Sequence, residues 1–149
     1  QVMQRIVDKG ATMTTVCTLN NSAVFEELQE FKDQTKMLGV TYLTSWTGSD
    51  LLEITNWLPG GNRVMWRESI DRIRPYGFAG MICSAKDIEI VKPLTPGMIR
   101  VCPGIGKNKG QVRTVTANEA RELGADYIVV GRAVTNAPDP AKAVDDLFC

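Results

Sequence analysis

Histidine is absent from this sequence of 149 residues. Imidazole is the usual general base near neutral pH and the commonest metal-binding side chain, so its absence excludes histidine-dependent catalytic triads and histidine metal sites. Any acid–base chemistry must therefore use Lys, Asp, Glu, Tyr or Cys. The sequence indicates no metal ion and no organic cofactor.

The chain also lacks an excess of charge of either sign. Its 17 Lys and Arg residues balance 17 Asp and Glu residues, whereas proteins that bind nucleic acids or anionic membranes carry clustered basic charge. We therefore expect no nucleic-acid partner. Long hydrophobic runs are missing too, since no segment approaches the roughly 18 apolar residues of a membrane span. A soluble, cytoplasmic protein without a membrane partner is the expectation.

Cysteine is scarce, with four residues far apart in the chain: Cys17, Cys83, Cys102 and Cys149. No CxxC pair or zinc-ligand spacing occurs, and three of the four lie in apolar, strand-like runs where a free thiol packs as a small hydrophobe. This pattern is typical of a reducing compartment and argues against a disulfide framework.

The length and the order of elements predict one α/β domain spanning residues 1–149. Apolar runs rich in β-branched residues alternate with amphipathic segments, which requires a parallel sheet with right-handed crossovers and helices outside. Periodicity alone does not distinguish an open sheet from part of a (β/α)8 barrel, and a complete barrel needs about 200 residues or more. Because no long crossover reverses the strand order, we expect five sequential strands of a partial TIM-type barrel. The predicted strands are 11–19, 40–45, 78–83, 98–102 and 127–130.

Capping residues mark the ends of several predicted helices. Thr116 and Glu119 have the spacing of a capping box, and Gly124 follows as a C-terminal glycine. Ser22 is expected to cap a helix over 22–38 that ends at Gly39. Further helices are predicted over 2–8 and 62–74 and from Ser84 and Asp139. The inward face of helix 62–74 is expected to consist of Val64, Trp66, Ile70 and Ile73.

Two loops could bind a phosphate group. In parallel α/β proteins the functional loops follow the carboxyl ends of the strands. The stretch 104–111 is rich in glycine and lysine, and a Gly131–Arg132 step follows the last predicted strand. Exposed backbone N–H groups beside a guanidinium suit a phosphate dianion, but ordinary turns with a solvated arginine explain the same residues equally well.

Five short motifs occur along the chain in a characteristic order and spacing. They are Cys-Ser-Ala at 83–85, Cys-Pro-Gly-Ile at 102–105, Gly-Gln-Val-Arg-Thr-Val-Thr at 110–116, the run 124–135 and Asp-Pro at 139–140. The series resembles the C-terminal half of orotidine 5′-phosphate decarboxylase, a (β/α)8-barrel enzyme of pyrimidine biosynthesis. Residues 10–16 and 40–45 resemble that family's fourth and fifth barrel strands, so the resemblance covers essentially the whole chain.

The resemblance implies a role for three residues at the substrate phosphate. Arg132 and the backbone of Gly131 would bind the 5′-phosphate of a nucleoside monophosphate such as orotidine 5′-phosphate or UMP. Gln111 would reach the same phosphate from the loop that closes over the site, although a solvated loop residue is an equal alternative.

Three further residues would complete the binding site by the same resemblance. Ser84 would form a hydrogen bond with the amide edge of the pyrimidine, with simple helix capping as the alternative. Pro103 and Gly104 would shape the base of the loop.

The family's catalytic residues are not found in this chain. Their signature, an Asp-x-Lys-x-x-Asp array after the third barrel strand, should stand immediately before Gln1, and this spacing occurs nowhere in the sequence. The family also often has histidine where this sequence has Cys17 and Thr18. No residue here is therefore expected to be catalytic, because decarboxylation needs a lysine to protonate the substrate carbon.

Three hypotheses follow for the activity. The chain is the phosphate- and pyrimidine-binding portion of a decarboxylase of orotidine 5′-phosphate, a naturally short non-catalytic relative, or a sister sugar-phosphate lyase or synthase. In the first two cases the strand edges near 14–18 and 127–130 are unpaired and favour association. We therefore expect a homodimer or association with the missing N-terminal segment.

Overall fold

The computed structural model describes residues 1–41, 49–50, 53, 62–106 and 114–148. Within these residues five parallel strands form one sheet whose order is the chain order, as predicted. Most of the predicted strand 40–45, Gln111 and Cys149 lie outside the described residues. The strands are β1 (Met13–Cys17), β2 (Lys36–Val40), β3 (Gly80–Ile82), β4 (Ile99–Cys102) and β5 (Tyr127–Ile128).

Helices separate the strands along the chain, which confirms the α/β class. Short 3-10 turns extend several of them: Gln29–Phe31, Arg74–Tyr76, Ala85–Asp87, Lys92–Leu94 and Asp146–Phe148. The α-helices whose full bounds lie within the described residues are α1 (Val2–Asp8), α2 (Ser22–Leu28), α3 (Asn62–Ile73), α4 (Ile88–Val91), α5 (Ala117–Leu123), α6 (Arg132–Thr135) and α7 (Pro140–Asp145).

The predicted helix 22–38 is wrong in its second half. The helix α2 ends at Leu28, and β2 already begins at Lys36, so Leu38 and Gly39 belong to a strand. Thr35 and Leu38 are buried at positions that also continue a helical period. The pattern of apolar residues in this buried strand therefore predicted a longer helix. The predicted strand 40–45 shares only Val40 with the observed strand β2.

Two smaller predictions about helices also need correction. The N-cap of α2 is Asn21 rather than Ser22, because the Asn21 side chain accepts a hydrogen bond from the Val24 N–H at 3.2 Å. Val64 is 60% exposed, whereas Trp66, Ile70 and Ile73 are buried as predicted. Val64 lies two positions before Trp66, about 200° around the helix, so both cannot face the core.

The capping pattern of α5 is confirmed. The Thr116 side chain accepts a hydrogen bond from the Glu119 N–H at 3.1 Å, and the Glu119 carboxylate accepts one from the Thr116 N–H at 2.6 Å. The helix ends at Gly124, whose φ of +100° favours glycine. At α7, Asp139 caps the first turn and Pro140 occupies the first helical position, as expected.

The two faces of the sheet differ in burial. Side chains alternate along each strand, and Val16, Met81 and Cys102 belong to the buried core together with residues of the helices. The opposite, inner face carries the buried Leu38 and Val101 near its middle and the exposed Cys17 and Tyr127 on the outer strands β1 and β5. In a complete barrel this face is covered by the remaining strands, so the five strands form part of a barrel, with the side chains of Cys17 and Tyr127 uncovered by the described residues.

Candidate functional site

The carboxyl ends of three neighbouring strands bring together most of the predicted site residues. Ile82 of β3 and Val101 of β4 are register partners. Continuing that register by two residues places Ser84 beside Pro103, with both on the inner face of the sheet. Gly131 and Arg132 follow β5, which pairs with β4. The predicted residues 84, 103–104 and 131–132 therefore lie at one end of the sheet.

Ser84 is held in place by the turn that follows it. Its side chain is buried, and its Oγ accepts a hydrogen bond from the Lys86 N–H at 3.3 Å, capping the 3-10 turn Ala85–Asp87. The capping alternative for Ser84 is thus observed. A hydroxyl that accepts this bond still has its own proton to donate, so the cap leaves the predicted contact with a pyrimidine available.

Pro103 and Gly104 stand at the base of the glycine-rich loop, which is closed by backbone hydrogen bonds. Val115 N–H donates to the Gly104 carbonyl at 3.2 Å, and Gly106 N–H donates to the Val115 carbonyl at 2.8 Å. Gly104 has a φ of +81°, a conformation that favours glycine. The two ends of the loop are therefore fixed, while Gln111 lies outside the described residues and its role stays a prediction.

A short helix begins directly at the predicted phosphate-binding step. Gly131 is the N-cap of the four-residue helix α6, and its carbonyl accepts hydrogen bonds from Val134 N–H at 2.9 Å and Thr135 N–H at 3.0 Å. Arg132 is the first residue of this helix and is exposed. The sequence does not predict α6, because four residues are too few to show a helical period.

The loop base and α6 lie close together, and the space beside Gly131 is open. A Cβ added at Gly106 would lie 3.3 Å from the Ala133 Cβ, whereas a Cβ at Gly131 would meet no atom within 4 Å. Within the described part of the chain, no hydrogen bond or ion pair engages the Arg132 guanidinium. Arg132 is therefore available to a ligand between these two loops.

The Arg100 side chain, by contrast, is already bound to other residues of the protein. Its guanidinium lies 2.7 Å from the Asp126 carboxylate, and its Nε donates to the Gly124 carbonyl at 3.2 Å. These contacts join β4 to the turn before β5. Of the two arginines, only Arg132 is placed to contribute its charge to an anion.

Cys17 and Thr18 occupy the other side of the sheet end. Cys17 is exposed on the inner face, while Thr18 is buried, with its Oγ1 3.2 Å from Thr41 Oγ1 and 3.3 Å from the Val40 carbonyl oxygen. Sequence reasoning did not find this pair of hydroxyls, since it depends on the register between β1 and β2.

Two kinds of feature are absent from the described part of the chain. There, no three His, Cys, Asp or Glu side chains come together in a way that could hold a metal ion. None of the helices resolved there combines the length and the apolar character that crossing a bilayer would need.

Comparison with known proteins gives the family. The family model described as "Orotidine 5'-phosphate decarboxylase / HUMPS family" matches residues 1–147. The chain belongs to this family. The resemblance carried by the five motifs is thereby confirmed, and it extends over nearly the whole chain.

Individual relatives agree with this membership of the decarboxylase family. The orotidine 5′-phosphate decarboxylase of Streptococcus pyogenes serotype M5 is 49% identical over 69 residues, which cover 43% of this chain and 30% of that protein. The decarboxylase structure from Lactobacillus acidophilus matches with a TM-score of 0.77 and 26% identity, covering 98% of this chain and 66% of the other. The one from Pyrococcus horikoshii OT3 matches with a TM-score of 0.70 and 26% identity, covering 99% and 64%.

The chain thus spans just under two thirds of these solved relatives, and its aligned part covers less than a third of the curated relative. This share fits five strands of an eight-stranded barrel. The partial-barrel fold predicted from the sequence is therefore confirmed.

Proposed function

We propose that this chain forms the phosphate- and pyrimidine-binding portion of a decarboxylase that converts orotidine 5′-phosphate to UMP. The supporting observation is the grouping of Ser84, Pro103–Gly104 and Gly131–Arg132 at the carboxyl ends of three consecutive strands. Active sites of (β/α)8 barrels are built from the loops at this end.

Arg132 and Gly131 bind the 5′-phosphate in this proposal. Barrel enzymes frequently bind phosphate between the loops after their last two strands and the N-terminus of a short extra helix. The helix α6 begins at this place, with Arg132 as its first residue. A guanidinium can form two parallel hydrogen bonds with a phosphate, and hydrogen bonds to charged groups contribute about 1.5–3 kcal/mol each.

Ser84 recognises the pyrimidine in the same proposal. Its hydroxyl is fixed by the cap on Ala85–Asp87 and lies on the inner face beside Pro103. A preorganised hydroxyl loses little conformational entropy when it binds a ligand. Because β4 lies between β3 and β5, Ser84 can contact the base of the nucleotide while Arg132 contacts its phosphate.

The catalytic groups come from outside these 149 residues in this proposal. Decarboxylation needs a carboxylate against the substrate carboxylate and a lysine at the reacting carbon, and no Asp-x-Lys-x-x-Asp array occurs in the sequence. A segment carrying that array would pair with the open edges of β1 and β5. We therefore expect the 149-residue chain alone to have no measurable turnover of orotidine 5′-phosphate.

The turnover experiment uses the chain alone and the chain combined with a segment carrying the array. Restored release of carbon dioxide on addition of the segment is the expected result. Turnover by the chain alone would contradict the proposal that the catalytic groups lie outside these 149 residues. Absence of turnover in the combined protein would favour the alternatives, a non-catalytic nucleotide-binding relative or a sister sugar-phosphate lyase or synthase. The description of the matching family also names a second group, HUMPS.

The proposed binding of phosphate by Arg132 is tested with the Arg132→Ala variant. Loss of the guanidinium should weaken the binding of UMP and of inorganic phosphate by about tenfold or more, measured by titration calorimetry. Arg5→Ala is the matched control, because Arg5 is an exposed arginine on α1, which leads into the opposite end of the sheet. Equal weakening in both variants, or an unchanged dissociation constant in Arg132→Ala, would refute this phosphate site.

A further inference from the structure

Two cysteines lie directly opposite each other on neighbouring strands, just before the candidate site. Ile82 and Val101 are register partners, and Cys83 N–H donates to the Val101 carbonyl at 3.2 Å. The next pair across β3 and β4 is therefore Cys83 and Cys102. Neighbouring strands are about 4.8 Å apart, which is within the Cα separation of about 4.4–6.8 Å that a disulfide bridges.

The surroundings of the pair differ from those of an isolated buried thiol. Cys83 and Cys102 are 2% and 0% exposed, and both are free thiols. Interaction with the Cys83 side chain lowers the pKa of Cys102 and the nearby Arg100 guanidinium lowers it further, whereas burial raises it. Interaction with the Cys102 side chain and burial both raise the pKa of Cys83. Of the two thiols, Cys102 is therefore the one that loses its proton more readily.

We propose that Cys83 and Cys102 form a redox-active dithiol that peroxide oxidises to a disulfide between β3 and β4. The site concerns the two thiols alone and does not depend on a ligand at Ser84 or Arg132. Hydrogen peroxide is small enough to reach buried groups during the local openings that folded proteins undergo.

The chemistry proceeds in two steps. The Cys102 thiolate attacks one oxygen of the peroxide, the O–O bond breaks, and the released hydroxide takes up a proton to become water. The Cys83 sulfur then attacks the Cys102 sulfenic acid, an S–S bond forms, the S–O bond breaks, and the second hydroxide takes up the Cys83 proton. The two thiols lose two electrons and the peroxide gains them, giving one disulfide and two waters.

The decisive experiment maps disulfides after mild treatment of the folded protein with hydrogen peroxide. Free thiols are alkylated, and the protein is digested with trypsin without reduction. Cleavage after Lys86 and Arg100 separates the two cysteines, so a linked pair of peptides identifies the bond by mass spectrometry. We expect this link and the loss of two of the four titratable thiols, both reversed by dithiothreitol.

Matched variants and an unfolded control complete the test. Cys17→Ser should keep the link, whereas Cys83→Ser and Cys102→Ser should lose it. Chain unfolded in urea should distribute its disulfides among all cysteines. The proposal is overturned if folded wild-type protein oxidises at Cys17 or Cys149 while Cys83 and Cys102 remain thiols, if no thiol is lost, or if the folded and unfolded link patterns agree. The wild-type map decides the question even if a variant fails to fold.

Discussion

Gly39 and Gly80 are the residues at which the packing of the sheet leaves no room for a side chain. A Cβ at Gly39 would lie 2.7 Å from Ile73 Cδ1 and 2.8 Å from Met81 Sδ, both ends of flexible side chains. A Cβ at Gly80 would collide with the backbone carbonyl of Ile99 on the neighbouring strand. Gly39 is therefore required by the close approach of α3 and β3 to β2, and not by a helix end.

Alanine substitution at these two glycines should give different losses of stability. Gly39→Ala should lower the free energy of unfolding by about 1–3 kcal/mol, typical of overpacking that side chains can partly relieve. Gly80→Ala should cost more, because backbone cannot move aside without breaking the pairing of β3 with β4. Urea unfolding measures both, and Val64→Ala, at an exposed position, should change stability by less than about 0.5 kcal/mol. A Gly80→Ala protein as stable as Gly39→Ala would contradict this reasoning.

At the scale of single elements, the capping box of α5 links stability to pH. The backbone N–H of Thr116 donates to the Glu119 carboxylate, and this bond lowers the pKa of Glu119 below its ordinary value of 4.5. A lowered pKa in the folded state means that stability is fully present above the ordinary value and is lost as the pH falls through the folded value.

Substitution of Glu119 isolates this contribution. Glu119→Gln keeps an acceptor for the Thr116 N–H but cannot titrate, so the variant should lose less stability than wild type between neutral pH and acid pH. Thermal unfolding across that range measures the difference. Glu122→Gln changes an exposed glutamate of the same helix and should retain the wild-type pH dependence. Identical pH profiles for Glu119→Gln and wild type would show that the box makes no such contribution.

The elements that sequence predicted well are those whose ends depend on neighbouring residues. Thr116, Glu119 and Gly124 act within one helix, so their pattern located α5 correctly. The start of β2 depends instead on its pairing with β1 and β3, which no local pattern records. For the site, the parallel sheet predicted that the functional loops follow the carboxyl ends of the strands, where Ser84 and Pro103 lie, whereas α6 was too short to be recognised.

At the scale of the whole molecule, we expect the inner face of the sheet to favour association. Tyr127 and Val129 are 47% and 48% exposed on this face, and β1 and β5 each pair with one strand among the described residues. Exposed edges and apolar surface of this kind promote pairing with further strands.

A charge on the inner face should weaken that association. We expect sedimentation to show dimers or larger species for the wild-type chain and a shift towards monomer for Val129→Lys. Val144→Lys is the matched control, because Val144 is 47% exposed on α7, outside the sheet. A stable wild-type monomer at high concentration, or equal effects of both substitutions, would refute the role of this face.

The agreement of strand order with chain order has a consequence for synthesis on the ribosome. Within the described residues, each strand pairs only with its predecessor and its successor. A chain that emerges from its N-terminal end therefore offers every new strand a partner that has already been made, and no strand waits for a distant one. Growth of the sheet can follow translation one strand at a time, with α-helices covering each addition before the next arrives.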